Sequence, residues 1–254
     1  MPIIGVINQK GGVGKTTTAV NLAAALAQRR RILLVDLDPQ ANASSGLSVI
    51  GAEKSIYDVL NGDSSARHAT LGTAIENLDI IPASKDLAAA AMELDASSEN
   101  MKLLSKALIG VRPNYDIIIL DSPPSIGALT LNSLSAADFL IIPLQTEYYA
   151  LEGIASMVDT VERVQSSLNP ELAILGILLT MFDVRTNLSQ QVEDNVRKHF
   201  GKLVFESVIP RNVRLAEAPS FGQAVFQYAP ESLGAIAYEK LALEVLERVS
   251  EATT

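Results

Sequence analysis

Two lysines lie near the ends of a glycine-rich segment, a pattern that suits the binding of phosphate groups. The segment runs from Gln9 to Thr17 with the sequence QKGGVGKTT, and an apolar run at 3–7 precedes it. Glycines have no Cβ, so successive backbone N–H groups can turn inward around phosphate oxygens. A helix that begins after the glycines adds the positive end of its dipole. The segment therefore predicts a phosphate-binding loop between a strand and a helix, with a ligand-free glycine turn as the alternative.

The residues of this loop have distinct expected roles. Lys15 should reach the β- and γ-phosphates of a nucleotide, and the Thr16 hydroxyl is placed to bind Mg²⁺. Lys10 is an additional cation, and Gln9 stands where the common pattern G-x-x-x-x-G-K-[ST] has a glycine, so the loop is a variant form. We expect the nucleotide to contact Lys10, Gly11, Gly12, Val13, Gly14, Lys15, Thr16 and Thr17.

Aspartates follow a second apolar run, at 31–36. Asp36 and Asp38 flank one leucine, so their side chains should project to opposite sides of an extended backbone. A carboxylate near the γ-phosphate can position the attacking water or accept its proton. We assign that role to Asp38, because it lies later in the turn and nearer the loop. A turn aspartate before Pro39 is an equally good interpretation of the local sequence.

Another acid, Asp121, ends the apolar run at 116–121, and the sequence SPPS then turns the chain away. This is the Walker B arrangement, in which a carboxylate reaches Mg²⁺ directly or through water. We therefore predict Thr16 and Asp121 as the metal-binding residues. Asp116, at the other end of the run, is expected to lie in solvent.

The composition excludes several classes of protein. The 254 residues are 48% hydrophobic and include no cysteine. Disulfides, zinc–thiolate sites and cysteine-held iron–sulfur clusters are thereby excluded. No apolar run approaches the roughly 20 residues that span a bilayer, so we expect a cytoplasmic protein. The formal charge of −9 argues against a protein that is basic all over, but a local basic patch could still bind nucleic acid.

Apolar runs alternate with amphipathic segments, which is typical of βαβ units. The predicted strands are 3–7, 31–36, 78–82, 116–121, 139–144, 173–180 and 203–209. The predicted helices are 16–28, a capped helix starting at 55–58, 84–94, 100–111, 129–136, 150–168, 188–200 and 233–249. We therefore predict an α/β fold with a doubly wound, mostly parallel sheet and helices on both faces. One domain over 1–254, without an N-terminal helix-turn-helix extension, is expected.

Five segments together resemble the ParA/Soj type of partition ATPase, within the ParA/MinD group of deviant Walker ATPases. The resemblance covers nearly the whole chain, and the last two segments are specific to this type. The segments are residues 10–17 (KGGVGKTT), 36–40 (DLDPQ), 121–125 (DSPPS), 147–153 (EYYALEG) and 209–215 (IPRNVRL).

The resemblance implies a slow, Mg²⁺-dependent ATPase whose two subunits close face to face on two ATP molecules. The lysine that matches Lys10 then reaches the phosphates of the partner's nucleotide, while Asp38 matches the catalytic aspartate and Asp121 the acid linked to Mg²⁺. Lys10, Lys15 and Asp38 are thus the expected catalytic residues. A charge supplied by a second chain would link hydrolysis to dimerisation. A ParB/Spo0J-type centromere-binding protein is the expected partner that stimulates hydrolysis.

The same resemblance implies contacts with the adenine base. Pro210, with Arg211 and Asn212 after it, matches the loop that lies against adenine, and Phe182 is expected to complete the pocket. Packing at the end of a strand is the alternative interpretation of the proline and the aromatic residue.

Two arginines, Arg185 and Arg214, match surface positions that bind DNA without sequence preference. Their local sequence alone favours exposed ion pairs, each of which stabilises little. A dimer would double the patch and raise the number of phosphates neutralised. The resemblance thus implies ATP-dependent DNA binding and association with the nucleoid.

Three alternatives stay open. A MinD-like membrane-positioning ATPase would carry a basic amphipathic helix, whereas the segment 238–249 is net acidic, so no membrane contact is expected. A positioner of protein cargo, such as flagella or chemoreceptors, would have nearly the same sequence. An amide-forming metabolic enzyme would need a polar substrate pocket beside the nucleotide.

Overall fold

A mostly parallel sheet forms the centre of the computed structural model, which describes residues 1–93, 97, 99–148 and 150–253. The strands are β1 (Ile3–Val6), β2 (Ile32–Asp36), β3 (Leu71–Gly72), β4 (Leu78–Ile81), β5 (Ile117–Asp121), β6 (Phe139–Gln145) and β7 (Ala173–Thr180). They lie side by side in the order β3-β4-β2-β5-β1-β6-β7. Within the described residues, only the short edge strand β3 runs antiparallel to its neighbour.

Helices cover both faces of this sheet. They are α1 (Lys15–Ala27), α2 (Asn42–Gly46), α3 (Ile56–Leu60), α4 (Ala66–Ala69), α5 (Leu87–Glu93), α6 (Leu103–Leu108), α7 (Ala128–Ala136), α8 (Ala150–Ser167), α9 (Asn187–Phe200), α10 (Val213–Glu217), α11 (Val225–Tyr228) and α12 (Leu233–Ala252). Residues of α1, α2 and α10 to α12 pack in one buried cluster, and residues of α3 to α9 pack in the other.

Alternate residues of the central strands face opposite clusters. In β2, Leu33 and Val35 pack on one side, while Ile32 and Leu34 pack on the other. Because both faces are covered, each strand is apolar along its length rather than on every second residue. The predicted fold class, a doubly wound α/β sheet, is confirmed.

The carboxyl ends of the three central strands meet at one edge. Val6 pairs with Asp121, and Asp36 pairs with Asp121 on its other side. The glycine-rich loop leaves β1 at this edge and enters α1. In open α/β sheets, ligands bind at this edge. The fold therefore brings two predicted site residues to the loop: Asp121, at the end of β5, and Asp38, just after the end of β2.

One predicted strand, 203–209, is wrong, since Leu203 ends a 3₁₀ turn (Gly201–Leu203) and the segment pairs with β7 only irregularly. It forms an isolated bridge at Val204, and the N–H groups of Phe205 and Ile209 donate to carbonyls of β7, both at 2.9 Å. Side chains of α12 bind several of its other backbone groups. The Glu244 carboxylate accepts hydrogen bonds from the N–H groups of Glu206 and Ser207, at 2.8 and 3.0 Å. The Arg248 guanidinium donates to the carbonyl of Val204 at 2.9 Å. The remaining strand of the sheet is β3, which was not predicted because it is only two residues long.

The predicted helices are confirmed, with small shifts of their ends. The segment 100–111 begins with a 3₁₀ turn, Asn100–Lys102, before α6. Leu94, at the end of the predicted helix 84–94, and Tyr149, within the segment 147–153, lie outside the described residues. No helix in the described part of the chain is long and apolar enough to cross a membrane.

Candidate active site

The loop between β1 and α1 has the backbone geometry of an anion site. Gly12 and Gly14 have φ angles of +77° and +90°, which side chains with a Cβ rarely adopt. Gly14 precedes the first residue of α1, and no side chain caps the first turn. The first N–H groups of this 13-residue helix therefore remain available to phosphate oxygens.

Two buried polar residues hold the loop in place. The Asn8 amide donates to the carbonyl of Pro143 at 2.8 Å and accepts from the backbone N–H of Lys10 at 3.0 Å. On the other side, the Thr180 hydroxyl donates to the carbonyl of Val13 at 2.9 Å. Neither residue was predicted from the sequence. Each is a polar residue at the end of an apolar run, and this pattern does not show which group the side chain binds.

The two lysines of the loop have different environments. Lys15 is 6% exposed, and its ammonium donates to the carbonyl of Lys10 at 2.9 Å, across the floor of the loop. Burial lowers the pKa of Lys15, while Asp121 and Asp38 act in the opposite direction. Lys10 instead extends outward and forms an ion pair of 2.7 Å with Glu147, with both side chains about half exposed. The Lys15 side chain thus lies inside the phosphate-binding loop of its own protomer, whereas the Lys10 side chain lies outside it.

Asp36 and Asp38, which follow one another across Leu37, are both buried and have different contacts. Asp36 is fully buried and accepts hydrogen bonds from the Ser44 N–H and hydroxyl, at 2.9 and 2.7 Å, and from the Asp38 N–H at 3.1 Å. Burial raises the pKa of Asp36 to about 6, although these hydrogen bonds from Ser44 and Asp38 favour its charged form. Asp38 accepts from the N–H of Gln40 at 2.9 Å and contributes to the field at Lys15. Asp36 therefore holds the turn that carries Asp38, a role that the sequence alone does not indicate.

Asp121 is the strongest indication of a bound cation. Its carboxylate is completely buried, and neither oxygen has a hydrogen-bond partner within the described residues. Burial raises the pKa of Asp121 well above its ordinary range, and the charge of Asp36 adds to the rise. The nearby Thr16 hydroxyl and the Lys15 ammonium act to lower the pKa of Asp121, but neither forms a hydrogen bond of regular geometry with its oxygens. A buried, unpartnered carboxylate is costly, and a divalent cation would compensate it.

The donor set fits Mg²⁺ in particular. The described residues contain no cluster of three or more His, Cys, Asp or Glu that could hold a metal without other ligands. Mg²⁺ needs no such cluster, because it keeps several waters and takes one or two protein oxygens together with phosphates. Thr16, in the first turn of α1, and Asp121 would supply those oxygens.

A cavity of about 220 Å³ opens beside the first turn of α1. The residues that line it come from the loop, the end of β7, the segment before α10, α10 and α12: Gly14, Thr17, Thr180, Met181, Ile209, Pro210, Arg211, Asn212, Leu215, Ala216 and Tyr238. The predicted adenine residues Pro210, Arg211 and Asn212 are therefore brought together next to the loop. The cavity suits a planar base attached to phosphates in the loop.

Phe182 does not line this cavity. Its backbone instead holds the neighbouring segment, since the Phe182 N–H donates to the carbonyl of Ile209 at 3.1 Å and the Arg211 N–H donates to the carbonyl of Phe182 at 2.9 Å. The side chain at the lining position is that of Met181. Met181 has a φ of +52°, a left-handed backbone conformation that the sequence pattern did not predict.

The two predicted DNA-binding arginines are exposed and both form local ion pairs. Arg185 is 81% exposed and pairs with Asp183, whereas Arg214 is 52% exposed and pairs with Glu217. Local ion pairs are what the sequence of these segments alone favours. In a single protomer, therefore, each guanidinium already has a carboxylate partner.

Comparisons with known proteins agree with this geometry. A family model described as an AAA domain matches residues 1–174. The sporulation initiation inhibitor protein Soj of Bacillus subtilis is 52% identical over 96% of this chain and 97% of its own length. The chromosome-partitioning ATPase Soj of Thermus thermophilus is also 52% identical, over 98% of this chain and 97% of its own length.

A solved structure extends the comparison to bound ligands. Cobyrinic acid a,c-diamide synthase from Mycobacterium smegmatis is 37% identical, with a TM-score of 0.86, over 98% of this chain and 96% of that chain. That protein has been solved with ADP and magnesium, and with an ATP analogue and magnesium. The ligands of that structure are the ones for which the loop, Asp121 and the cavity of this chain are suited.

Proposed function

Since the chain belongs to the Soj/ParA family of chromosome-partitioning ATPases, we propose that it is a switch that dimerises when it binds ATP. The protein is an ATPase, with ATP and Mg²⁺ as its cofactors. In the proposed cycle, ATP closes two protomers face to face, the dimer binds DNA, and hydrolysis returns both protomers to the free state.

The different placement of the two loop lysines is the observation that supports dimerisation. Lys15 is buried, and its ammonium donates to the Lys10 carbonyl within the same loop. The Lys10 ammonium is half exposed and pairs with Glu147 rather than with a group of its own loop, although its backbone N–H is fixed by Asn8. An ammonium that extends outward from a phosphate site can neutralise the phosphates of a second protomer. Charge neutralisation would then be complete only in the dimer.

Within this proposal, Asp38 positions the attacking water and Asp121 holds Mg²⁺ together with Thr16. Hydrolysis in a closed dimer would be slow, because the described loop residues include no arginine directed at the phosphates from the same chain. A second protein would then set the rate. We propose a ParB/Spo0J-type centromere-binding protein in this role, and the net charge of −9 favours a basic contact segment on that partner.

DNA would be bound by Arg185 and Arg214, without sequence preference. A single acidic protomer presents only a small basic patch, whereas a dimer presents two. Doubling the number of neutralised phosphates raises both the affinity and its dependence on salt. ATP would thereby direct the protein to the nucleoid.

The geometry of α12 does not favour a membrane role for this helix. Its buried residues, Ala235, Tyr238, Leu241, Ala242 and Val245 among them, pack in the cluster that contains α1. The Tyr238 hydroxyl lies 3.1 Å from that of Thr18 in α1. A helix held in this way does not present its apolar face to lipid. Sedimentation with anionic liposomes would check this directly.

The test of dimerisation is sedimentation velocity with Asp38→Ala, which should bind ATP without hydrolysing it. We expect a dimer with ATP and Mg²⁺ and a monomer without nucleotide. Adding Lys10→Ala should restore the monomer while ATP remains bound. Lys106→Ala is the matched control, because Lys106 is an exposed lysine that pairs with Glu99 at 3.6 Å, outside the site. A monomer of Asp38→Ala with nucleotide demonstrably bound would contradict the proposal.

The test of DNA binding is fluorescence anisotropy with a labelled duplex of arbitrary sequence. The variant Arg185→Ala with Arg214→Ala should lose ATP-dependent binding and retain its ATPase activity. Arg29→Ala removes an exposed arginine, paired with Glu239 at 3.8 Å, from another part of the surface and should bind DNA normally. Full DNA affinity of the double variant would overturn the assignment of the two arginines.

A further inference from the structure

The Arg185 guanidinium makes a two-point contact with a carboxylate, of the kind that it could also make with a phosphate. Its Nε and Nη2 atoms donate to the two carboxylate oxygens of Asp183, at 2.9 and 2.7 Å. The backbone N–H of Arg185 also donates to Asp183, at 3.0 Å. Such a two-point contact occupies the same fork of donors that recognises phosphate oxygens. The ring of contacts holds the pKa of Asp183 well below its usual range, so the carboxylate is charged.

The second arginine is held by a smaller network. The Arg214 Nη1 atom donates to a carboxylate oxygen of Glu217 at 2.8 Å, one turn along α10. The same oxygen accepts a hydrogen bond from the Tyr228 hydroxyl at 3.0 Å. The Tyr228 ring stacks on Phe221, with ring centroids 4.9 Å apart. Glu217 is therefore fixed from two sides, and it holds Arg214 close to the protein surface.

The two networks lie on neighbouring segments. A bridge between Phe182 and Pro210 joins the segment that carries Asp183 to the segment that leads into α10. Arg211 lies near enough to Asp183 to help lower the pKa of that carboxyl. Arg185, Arg211 and Arg214 thus lie on these neighbouring segments together with two carboxylates, and the guanidinium groups of Arg185 and Arg214 are paired within the protomer.

We propose that Asp183 and Glu217 are built-in competitors for DNA phosphate, which hold Arg185 and Arg214 until the phosphates of DNA displace them. This inference rests on the proposed DNA binding and adds the groups that limit its affinity. Each arginine exchanges one anionic partner for another, so a single contact contributes little to binding. Stable binding then requires several exchanges at once, which a dimer on a continuous duplex can supply.

Two conservative substitutions separate competition from folding. Asp183→Asn retains an oxygen that can accept the Arg185 N–H, and Glu217→Gln retains an oxygen that can accept the Tyr228 hydroxyl. Each removes the charge that competes with phosphate. Glu239→Gln is the matched control, since it also removes one negative charge and releases an exposed arginine, Arg29, elsewhere on the surface. Thermal unfolding of all variants checks that the fold is intact.

The experiment measures the affinity of full-length protein for a labelled duplex, with ATP and Mg²⁺, over a series of salt concentrations. Asp183→Asn and Glu217→Gln should each bind about threefold more tightly than the wild type, and the double variant about tenfold more tightly. Glu239→Gln should bind as the wild type does. The slope of affinity against salt should stay unchanged, because the same arginines contact phosphates in every case.

A double-mutant cycle makes the test specific. In an Arg185→Ala background, Asp183→Asn should produce no gain, because the guanidinium for which it competes is absent. An equal gain in that background, or an equal gain from Glu239→Gln, would overturn the inference in favour of a general charge effect. Wild-type binding with no gain from either variant would also overturn it. If the wild type and every variant fail to bind DNA, the proposed DNA function itself fails, and the inference with it.

Discussion

Lys10 of the phosphate-binding loop and Glu147 form an ion pair of 2.7 Å. The backbone of Lys10 is fixed, since its N–H binds Asn8 and its carbonyl accepts the Lys15 ammonium. Glu147 follows the end of β6 and is held near the loop by that strand. Only the two side chains are free to change partners. A protomer that extends Lys10 toward a second protomer must therefore first separate it from Glu147.

The first prediction concerns this ion pair. Glu147→Gln should strengthen ATP-dependent self-association by about two- to fivefold, because Lys10 no longer has a competing partner in its own chain. Sedimentation equilibrium in the Asp38→Ala background measures the dimer dissociation constant. Glu152→Gln, an exposed acid in the first turn of α8, is the control for the change in net charge. Weaker association of Glu147→Gln would mean that Glu147 stabilises the dimer instead.

The second prediction separates stability from catalysis at Asp121. Asp121→Asn should raise the free energy of unfolding of the nucleotide-free protein by about 1–3 kcal/mol, because it removes a buried charge that has no hydrogen-bond partner. The same variant should lose Mg²⁺-dependent hydrolysis. Urea unfolding and phosphate release at increasing Mg²⁺ provide the two measurements.

Asp116→Asn is the control for this substitution, because Asp116 precedes the same strand and forms an exposed ion pair with Arg31. It should change stability little and leave Mg²⁺ dependence intact. An Asp121→Asn protein that is less stable than the wild type, or that hydrolyses ATP normally, would show that Asp121 does not serve as a Mg²⁺ ligand.

The sequence predicted those features that depend on local chemistry. The central strands and the loop were predictable because strands buried on both faces are apolar throughout, and because the loop needs glycines and lysines at fixed spacing. Asn8 and Thr180 were not predictable as site residues, since the carbonyls that their side chains bind lie in distant parts of the chain. Ser44 lies only eight residues after Asp36, but a lone serine in a turn does not indicate such a contact. The segment 203–209 was misassigned because its partners, like those of Asn8 and Thr180, lie in distant parts of the chain. It has an apolar, strand-like composition, but several of its backbone partners are side chains of α12 rather than strand backbone.

The third prediction tests that replacement of strand pairing by side chains. Arg248→Ala should lower the free energy of unfolding by about 2–4 kcal/mol, because it leaves the carbonyls of Leu175 and Val204 without this donor and Glu244 without its ion-pair partner. It also removes a cation–π contact with Phe205, at 4.2 Å from the ring centroid. Urea unfolding measures the change. Arg29→Ala, which breaks an exposed pair, should change it by less than about 1 kcal/mol.

The fourth prediction concerns the start of α3 and its dependence on pH. Burial alone would raise the pKa of Asp58, but hydrogen bonds from Lys54 and from the Ser55 N–H and hydroxyl outweigh it and lower that pKa. A lowered carboxyl pKa stabilises the fold above the unfolded value of about 4, and this contribution is lost as the pH falls through the folded value. Asp58→Ala should therefore cost about 1 kcal/mol near neutral pH and progressively less below about pH 4.

Urea unfolding of Asp58→Ala and the wild type across this range measures the difference. Asp63→Ala, an exposed acid shortly after the helix, is the control and should show no comparable convergence. A difference between wild type and Asp58→Ala that grows on acidification would contradict the sign of this argument.

The last prediction places the base of the nucleotide. Ala216 lines the cavity beside the loop and lies within α10, so Ala216→Trp should fill much of the 220 Å³ without breaking the helix. ATP should bind about tenfold or more weakly, because the base loses its site. Inorganic triphosphate should compete as before, because its contacts are confined to the loop. Ser220→Trp, an exposed position outside the cavity lining, is the matched control. Calorimetric titration of each variant gives the affinities, and unchanged ATP binding by Ala216→Trp would place the base outside this cavity.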